Sequence, residues 1–416
     1  MGRSKAITEL LQERAAGLGL RLAAAGARVV GELPGEASGP IRFAAKLGID
    51  KATASRFLRA IAMKDGLAAI RMVPGPEPLR ELARAAGEAG AAGDRVQEFL
   101  AVVGEFEALI RTEAGSRSEL DAMLASFMPE DRGAFELKRK QSIFRAISEL
   151  SGKRARVGIT TAMIAPNPDG EHLDLVYIFG YLGLTRLRPD VALNFATRRV
   201  PTPHQPGQVS PPRRPTTLDG REVDAVSGLL LGEFSSISAD MMEVRRSGEF
   251  GETAHYLIGG EACGPAAADD VVMAEVNRAE LPRFVPALPP RRRFVYTDVA
   301  IPVELMVFDL ILHKDLLVSG MPELRVYHMG AKGRADPNDS TRDVDVMDLQ
   351  EKVEGLGAGF GVARLSEAPW YHTLLGSAAG RLGWEPRGMQ VFRARVDYPL
   401  YSAQFVLSYP SQSRGE

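Results

Sequence analysis

The stretch Phe43-Ala-Ala-Lys-Leu-Gly48-Ile-Asp50-Lys51-Ala-Thr53-Ala-Ser55-Arg56-Phe-Leu58 decides how the chain is read. Pro40 stands where a helix can begin, because its missing N–H is not needed in the first turn. Phe43, Ala44 and Leu47 then fall on one face. Ala45 is small, as a close crossing of two helices asks. Gly48 suits a residue of positive φ at the helix end. Ile49 plugs the space between helices, and Asp50 is a good N-cap for the next one. Ala54, Phe57, Leu58 and Ile61 form the buried stripe of that second helix. Lys51, Ala52, Thr53, Ser55, Arg56 and Arg59 are left facing outward.

A cationic, hydroxyl-bearing helix face suits a DNA major groove. Arginine can hold a guanine edge by two hydrogen bonds, and lysine and hydroxyls can fix phosphates. A generic helical hairpin with a solvated basic face is the other interpretation of the same residues.

The string Leu47-Gly48-Ile49-Asp50-Lys51-Ala52-Thr53-Ala54-Ser55-Arg56 resembles the DNA-binding helices of bacterial winged-helix regulators, the IclR-like group most of all. The resemblance covers about residues 5–90, a fifth of the chain. It implies a winged helix-turn-helix head contacting double-stranded DNA through Lys51, Thr53, Ser55, Arg56 and Arg59. Leu67 to Val73 reads as a short strand, where such families begin a hairpin wing, and Arg71 is its best DNA contact. Pro74-Gly75-Pro76 follows almost at once, so the wing looks truncated.

Upstream, Ile7, Leu10, Leu11, Leu18 and Leu22 recur at helical spacing, with Gly17 and Gly19 dividing the stretch into two shorter helices. Downstream, a helix starts at Pro76. Asp94 to Ile110 predicts an amphipathic helix with a wide apolar face, and 116–127 and 129–150 predict two more. Burial within the chain and dimerisation are both open to these helices. A homodimer is favoured, since two heads about one DNA turn apart double the length of a palindromic site. The run Lys138-Arg139-Lys140 reads as a solvated face.

Bulk properties set limits. The chain has 416 residues, enough for two or three domains, and 45% hydrophobic against 25% charged residues is ordinary for a globular protein. Net charge is −2, but residues 1–75 hold twelve Lys/Arg against six Asp/Glu, as a DNA-reading head would. A single cysteine, Cys263, allows no intrachain disulfide and no cysteine-based zinc site, which fits a cytoplasmic setting. Glu9 and Glu13 interrupt any signal-peptide core, and no apolar run is long enough to span a membrane.

Composition changes near Gly152, and strand signals take over at 155–164, 173–186, 191–200, 235–246, 253–259, 270–276, 293–312, 323–329 and 389–409. From Gln390 to Tyr398 apolar residues alternate, and beyond Pro399 the phase shifts by one, which predicts a bulge or bend. Helices are expected near 221–232, 346–355 and 368–382. The fold class is therefore α+β and multidomain. A winged helix-turn-helix spans 1–92, a helical linker or dimerisation region 93–152, and a mainly antiparallel α+β domain with one wetted sheet face 153–416. The last does not match the smaller effector domain that follows IclR-like heads.

No catalytic motif emerges. His172-x-Asp174 and His313-x-Asp315 are isolated pairs, and Asn338, Asp339, Asp343, Asp345 and Asp348 lack EF-hand spacing. Gly355-Leu-Gly357-Ala-Gly359 lacks the ending of a phosphate loop and reads as a flexible connection. Residues 201–215 form a Pro-rich loop, echoed at 282–290. Arg198-Arg199, Arg213-Arg214 and Arg291-Arg292-Arg293 read as surface charge. No cofactor, metal or catalytic residue is expected. The expected protein is a one-component transcriptional regulator, not an enzyme, whose body holds a small-molecule or protein effector or only the dimer geometry. An enzyme with a fused head, or a scaffold using the helices for protein contacts, are the alternatives.

Overall fold

The computed structural model describes residues 2–33, 39–125, 127–199, 216–223, 229–248, 253–286, 291–317, 320–330 and 332–413. The Pro-rich loop 201–215 with Arg213-Arg214, the side chains of Arg198 and Arg199, and the centre of the 221–232 segment lie outside these residues. The chain is mixed in class, helical in its N-terminal part and β-rich in its C-terminal part. It divides into two units, 1–135 and 136–416. The expected linker is split between them.

In the first unit, α1 (Gly2–Gly31) is one helix of 30 residues and not two. Gly17 and Gly19 do not break it because α1 is held along its length. Arg14, Arg21 and Arg28, each two helical turns apart, pair with Glu113, Glu105 and Glu98. The last two belong to α6 (Gly93–Leu109), and Glu113 to the π-helical turn Ile110–Ala114 that extends it. The descending order of the glutamates makes α1 and α6 antiparallel. The apolar face of α6 (Phe99, Val103, Phe106) is buried inside this unit, so intrachain packing claims it.

Between these come α2 (Pro40–Leu47), α3 (Lys51–Ile61), α4 (Gly66–Met72) and α5 (Pro76–Glu88), and α7 (Arg117–Ala125) follows. The strand expected over 67–73 is the helix α4, so among the described residues no hairpin wing follows α3. Asp65 is the reason: its side chain caps α4 by accepting the Ala68 N–H at 2.7 Å, and α4 then packs on α1.

The helix α8 (Pro129–Ser151) leads into the second unit. There Lys140 is buried and paired with Glu351, a correction to its expected solvent exposure, while Lys138 and Arg139 are exposed. The strands are β1 (Lys153–Pro166), β2 (His172–Arg186), β3 (Leu193–Arg199), β4 (Met242–Ser247), β5 (Thr253–Ile258), β6 (Asp269–Pro282), β7 (Arg292–Asp298), β8 (Val303–His313), β9 (Glu323–His328), β10 (Val353–Ala358), β11 (Met389–Asp397) and β12 (Ala403–Pro410). Among the described residues one α-helix, α9 (Tyr371–Arg381), accompanies them.

They form a six-stranded sheet, β10-β11-β8-β1-β2-β6, and two three-stranded sheets, β7-β12-β9 and β3-β5-β4. All pairings are antiparallel except β1 with β8. The large sheet is covered on one face and partly wetted on the other, where Tyr177, Phe179 and Tyr181 of β2 are half-buried beside an open cavity. One side packs on α9, with Val157, Ile159, Val307 and Ile311 against Leu374 and Leu375. The other carries Ala162, Phe308 and Met273 in one core with Phe405 and Leu407 of β12 and Phe195 and Tyr256 of β3 and β5. Burial on both sides explains the near-continuous apolar runs of β1 and β8.

Three further expectations change. Residues 235–241 are not strand, and β4 begins at Met242. Residues 346–355 are not helical: Gly355 and Gly357 lie in the edge strand β10. The 293–312 stretch breaks at 299–302 into β7 and β8, which belong to different sheets. The phase shift at Pro399 is the passage from the large sheet (β11) to a small one (β12), with Tyr398 and Ser402 at positive φ.

Candidate nucleic-acid interface

The candidate site is the ridge on α3, and its geometry begins in the turn before it. Gly48 has φ 64°, the left-handed conformation that ends α2 without strain. Ile49 is half-buried in the core of the unit. Asp50 accepts the N–H groups of Ala52 and Thr53 at 2.8 and 2.9 Å. The Thr53 side chain also bonds to Asp50, and these bonds hold its carboxyl below the ordinary range. Ala54, Phe57 and Ala60 are buried. Phe57 stacks on Phe43 of α2 and meets Phe99 of α6 edge-on. Gly26 of α1 leaves room for its ring: a Cβ there would lie 2.8 Å from Cζ. Ala45 is exposed, so it plays no part in the crossing.

The outward positions differ from one another. Lys51, Arg56 and Arg59 are exposed, and Thr53 and Ser55 half-exposed. The Thr53 hydroxyl is engaged by Asp50. Arg59 reaches only its own helix, the Ser55 carbonyl at 3.4 Å and hydroxyl at 3.3 Å. Arg56 is tied elsewhere: Nε donates to the Met72 carbonyl at 3.2 Å and Nη2 to that of Val73 at 3.3 Å. Arg117 of α7 joins it, Nη2 donating to the Ile70 and Arg71 carbonyls at 2.8 and 2.9 Å.

Two guanidinium groups thus cap the C-terminal end of α4, where unpaired carbonyls and the helix dipole favour positive charge. Burial pushes the Arg117 guanidinium down, against the pull of Asp121 at 3.1 Å, and the nearby Arg56 and Arg71 push the same way. No motif marks Arg117, because its role depends on α4 being brought beside it. Arg71 is half-buried on α4, its Nη1 3.6 Å from the Met128 sulfur. The wing strand expected to carry it is a helix instead.

Charge is also more balanced than residues 1–75 suggest. Residues 76–135 carry twelve acidic and six basic residues, so the whole unit has eighteen of each. The glutamates that neutralise Arg14, Arg21 and Arg28 lie past residue 75.

Other sequence candidates resolve into structural contacts. His172 pairs with Asp169 at 2.7 Å, while Asp174 is buried against Arg278 at 2.6 Å. His313 and Asp315 approach to 3.5 Å. Arg342, buried, bonds Asp345 at 2.6 Å, and Arg325 bonds Asp343 at 3.1 Å, so the acidic turn is held by its own cations. Arg292 bonds Ser408. Among the described residues no group of three or more His, Cys, Asp or Glu is placed to hold a metal ion, and no helix is long and apolar enough to cross a membrane. Comparison with known protein families, curated proteins and solved structures finds no match to this chain.

Proposed function

We propose that the chain is a sequence-specific DNA-binding regulator whose α3 enters the major groove, acting as a homodimer on a twofold-symmetric site. The observation that carries the proposal is the combination of a buried apolar stripe with Lys51 and Arg59 open to solvent in the first and last turns of one helix. Lys51 would meet phosphate and Arg59 a base edge. Arg56 has to leave the α4 carbonyls to do the same.

The test is selection of bound duplexes from a random pool by the full chain, followed by affinity measured against salt. Enrichment of a palindrome, with log affinity falling linearly in log salt, is expected. Recovery of no sequence, or affinity indifferent to salt, would reject the proposal. The charge balance of the first unit favours a second assignment, in which α3 is a protein-contact face. Salt-independent retention of a protein partner with no duplex bound is its signature.

A further inference from the structure

Within the second unit, β1, β2 and β6 of the large sheet and strands of both small sheets enclose an open cavity of about 1630 Å³. Ordinary small-molecule sites hold roughly 300–1,000 Å³, so a ligand would fill only one region of it.

Lys153, the first residue of β1, is half-buried and lines this cavity. The next residue on its face of the strand is Ala155. Ala155 pairs with Val303 of β8, and both are buried in the core around the cavity. Val299 and Ile301, just ahead of Val303 in the chain, belong to the same wall.

A lysine in apolar surroundings ordinarily has a counter-ion. Lys140 has one in Glu351. Lys153 has none: among the described residues its amine makes no ion pair and no hydrogen bond. Directly across in β2 stands another cation, Arg186. It is buried and donates to the carbonyls of Val191, Ala262 and Ile258, so no carboxylate comes with it. The other ionic groups of the wall are placed elsewhere. Arg334 pairs with Asp298 at 2.6 Å, Arg246 and Glu275 have interactions of their own, and Glu280 is exposed. Burial pushes the Lys153 ammonium down, which favours the free amine.

A desolvated lysine without a counter-ion is a nucleophile toward carbonyl carbon. The nitrogen lone pair forms the new C–N bond. The carbonyl oxygen takes both amine protons and leaves as water, and a C=N bond remains. No oxidant or reductant enters. An apolar wall beside the amine selects a carbonyl compound with an apolar body.

We propose that Lys153 forms an imine with a neutral aldehyde whose apolar body lies along Val299, Ile301 and Val303. The site is independent of DNA binding and stands or falls separately.

The test is labelling of the full chain with 2-naphthaldehyde, reduced in place by cyanoborohydride and read lysine by lysine by peptide mass spectrometry. Lys153 should be labelled at least about tenfold faster than the exposed Lys64 and Lys314, a gap of about 1.4 kcal/mol. 2-Naphthalenemethanol, which has the same rings and no carbonyl, should slow labelling of Lys153 and leave that of Lys64 unchanged. Lys153→Arg should abolish the fast labelling with an unchanged melting temperature, because the amine holds no partner in the fold. Equal labelling of Lys153 and Lys64, or no protection by the alcohol, would overturn the proposal. So would stronger protection by 2-naphthoate than by the alcohol, which would make Lys153 an anion site.

Discussion

Gly19 of α1 and Gly66 of α4 meet backbone to backbone. A Cβ on Gly19 would lie 1.9 Å from the Gly66 carbonyl oxygen, and one on Gly66 would lie 2.0 Å from the carbonyl oxygen of Ala16. Gly17, one turn-face away, would meet only Arg21 Nη1 at 3.9 Å. Alanine in place of a mid-helix glycine ordinarily adds up to about 1 kcal/mol. Gly17→Ala should therefore raise the melting temperature of the full chain. Gly19→Ala and Gly66→Ala must push two helices apart and should each cost about 1–3 kcal/mol. Equal effects at all three positions, measured by thermal unfolding, would contradict the contact.

The arginines of α3 should separate in their effects. Arg59 bonds only to Ser55, and Lys51 is exposed, so Arg59→Ala and Lys51→Ala should leave the melting temperature unchanged. If α3 reads DNA, each should weaken duplex binding and Lys51→Ala should lower the salt slope by about one. Arg56→Ala also removes two bonds to the end of α4 and should lower stability as well. Paired unfolding and binding curves distinguish the outcomes.

On the helix-covered side of the large sheet, Asp309 and Arg393 form a buried two-pronged pair at 2.8 and 2.7 Å. The Tyr371 hydroxyl donates to Asp309 at 2.8 Å and meets Thr161 at 2.6 Å. Arg393→Met strands a buried carboxylate and should cost about 3–5 kcal/mol. Tyr371→Phe keeps the pair intact and should cost about 1 kcal/mol. Chemical denaturation of the two variants gives the comparison.

Glu367 provides a pH dependence. The Arg395 guanidinium, with help from the Ser366 hydroxyl, holds its carboxyl down from 4.5 to about 2. A depressed carboxyl contributes stability that is complete above the unfolded value and lost as pH falls through the folded one. The difference in unfolding free energy between the native chain and Glu367→Gln should thus be constant above pH 5 and shrink between pH 4.5 and 2. Both groups are partly exposed, so the effect is small and diminishes with salt.

Local chemistry was legible in the sequence. Gly48, Asp50 and the stripe Ala54–Phe57 occupy the conformations and burial that their types dictate, and the phase change at Pro399 marks a real corner. What depends on distant partners was not. Leu67 to Val73 has the β-branched and apolar residues of a short strand, yet its Asp65 cap and the Gly19 contact make it helical. Gly355 and Gly357 look like a linker, but pairing with β11 makes them strand. The basic count of residues 1–75 omitted the acidic half of the α1–α6 ladder.

The corner at Pro399 bears on how the chain is made. The segment 389–410 supplies β11, an inner strand of the large sheet, and β12, the central strand of a small one. On a ribosome that has reached only residue 388, β8 lacks its antiparallel neighbour, and β7 and β9 have nothing between them. The first unit can mature during synthesis, but the second has to wait, its unfinished edges exposed to other nascent chains.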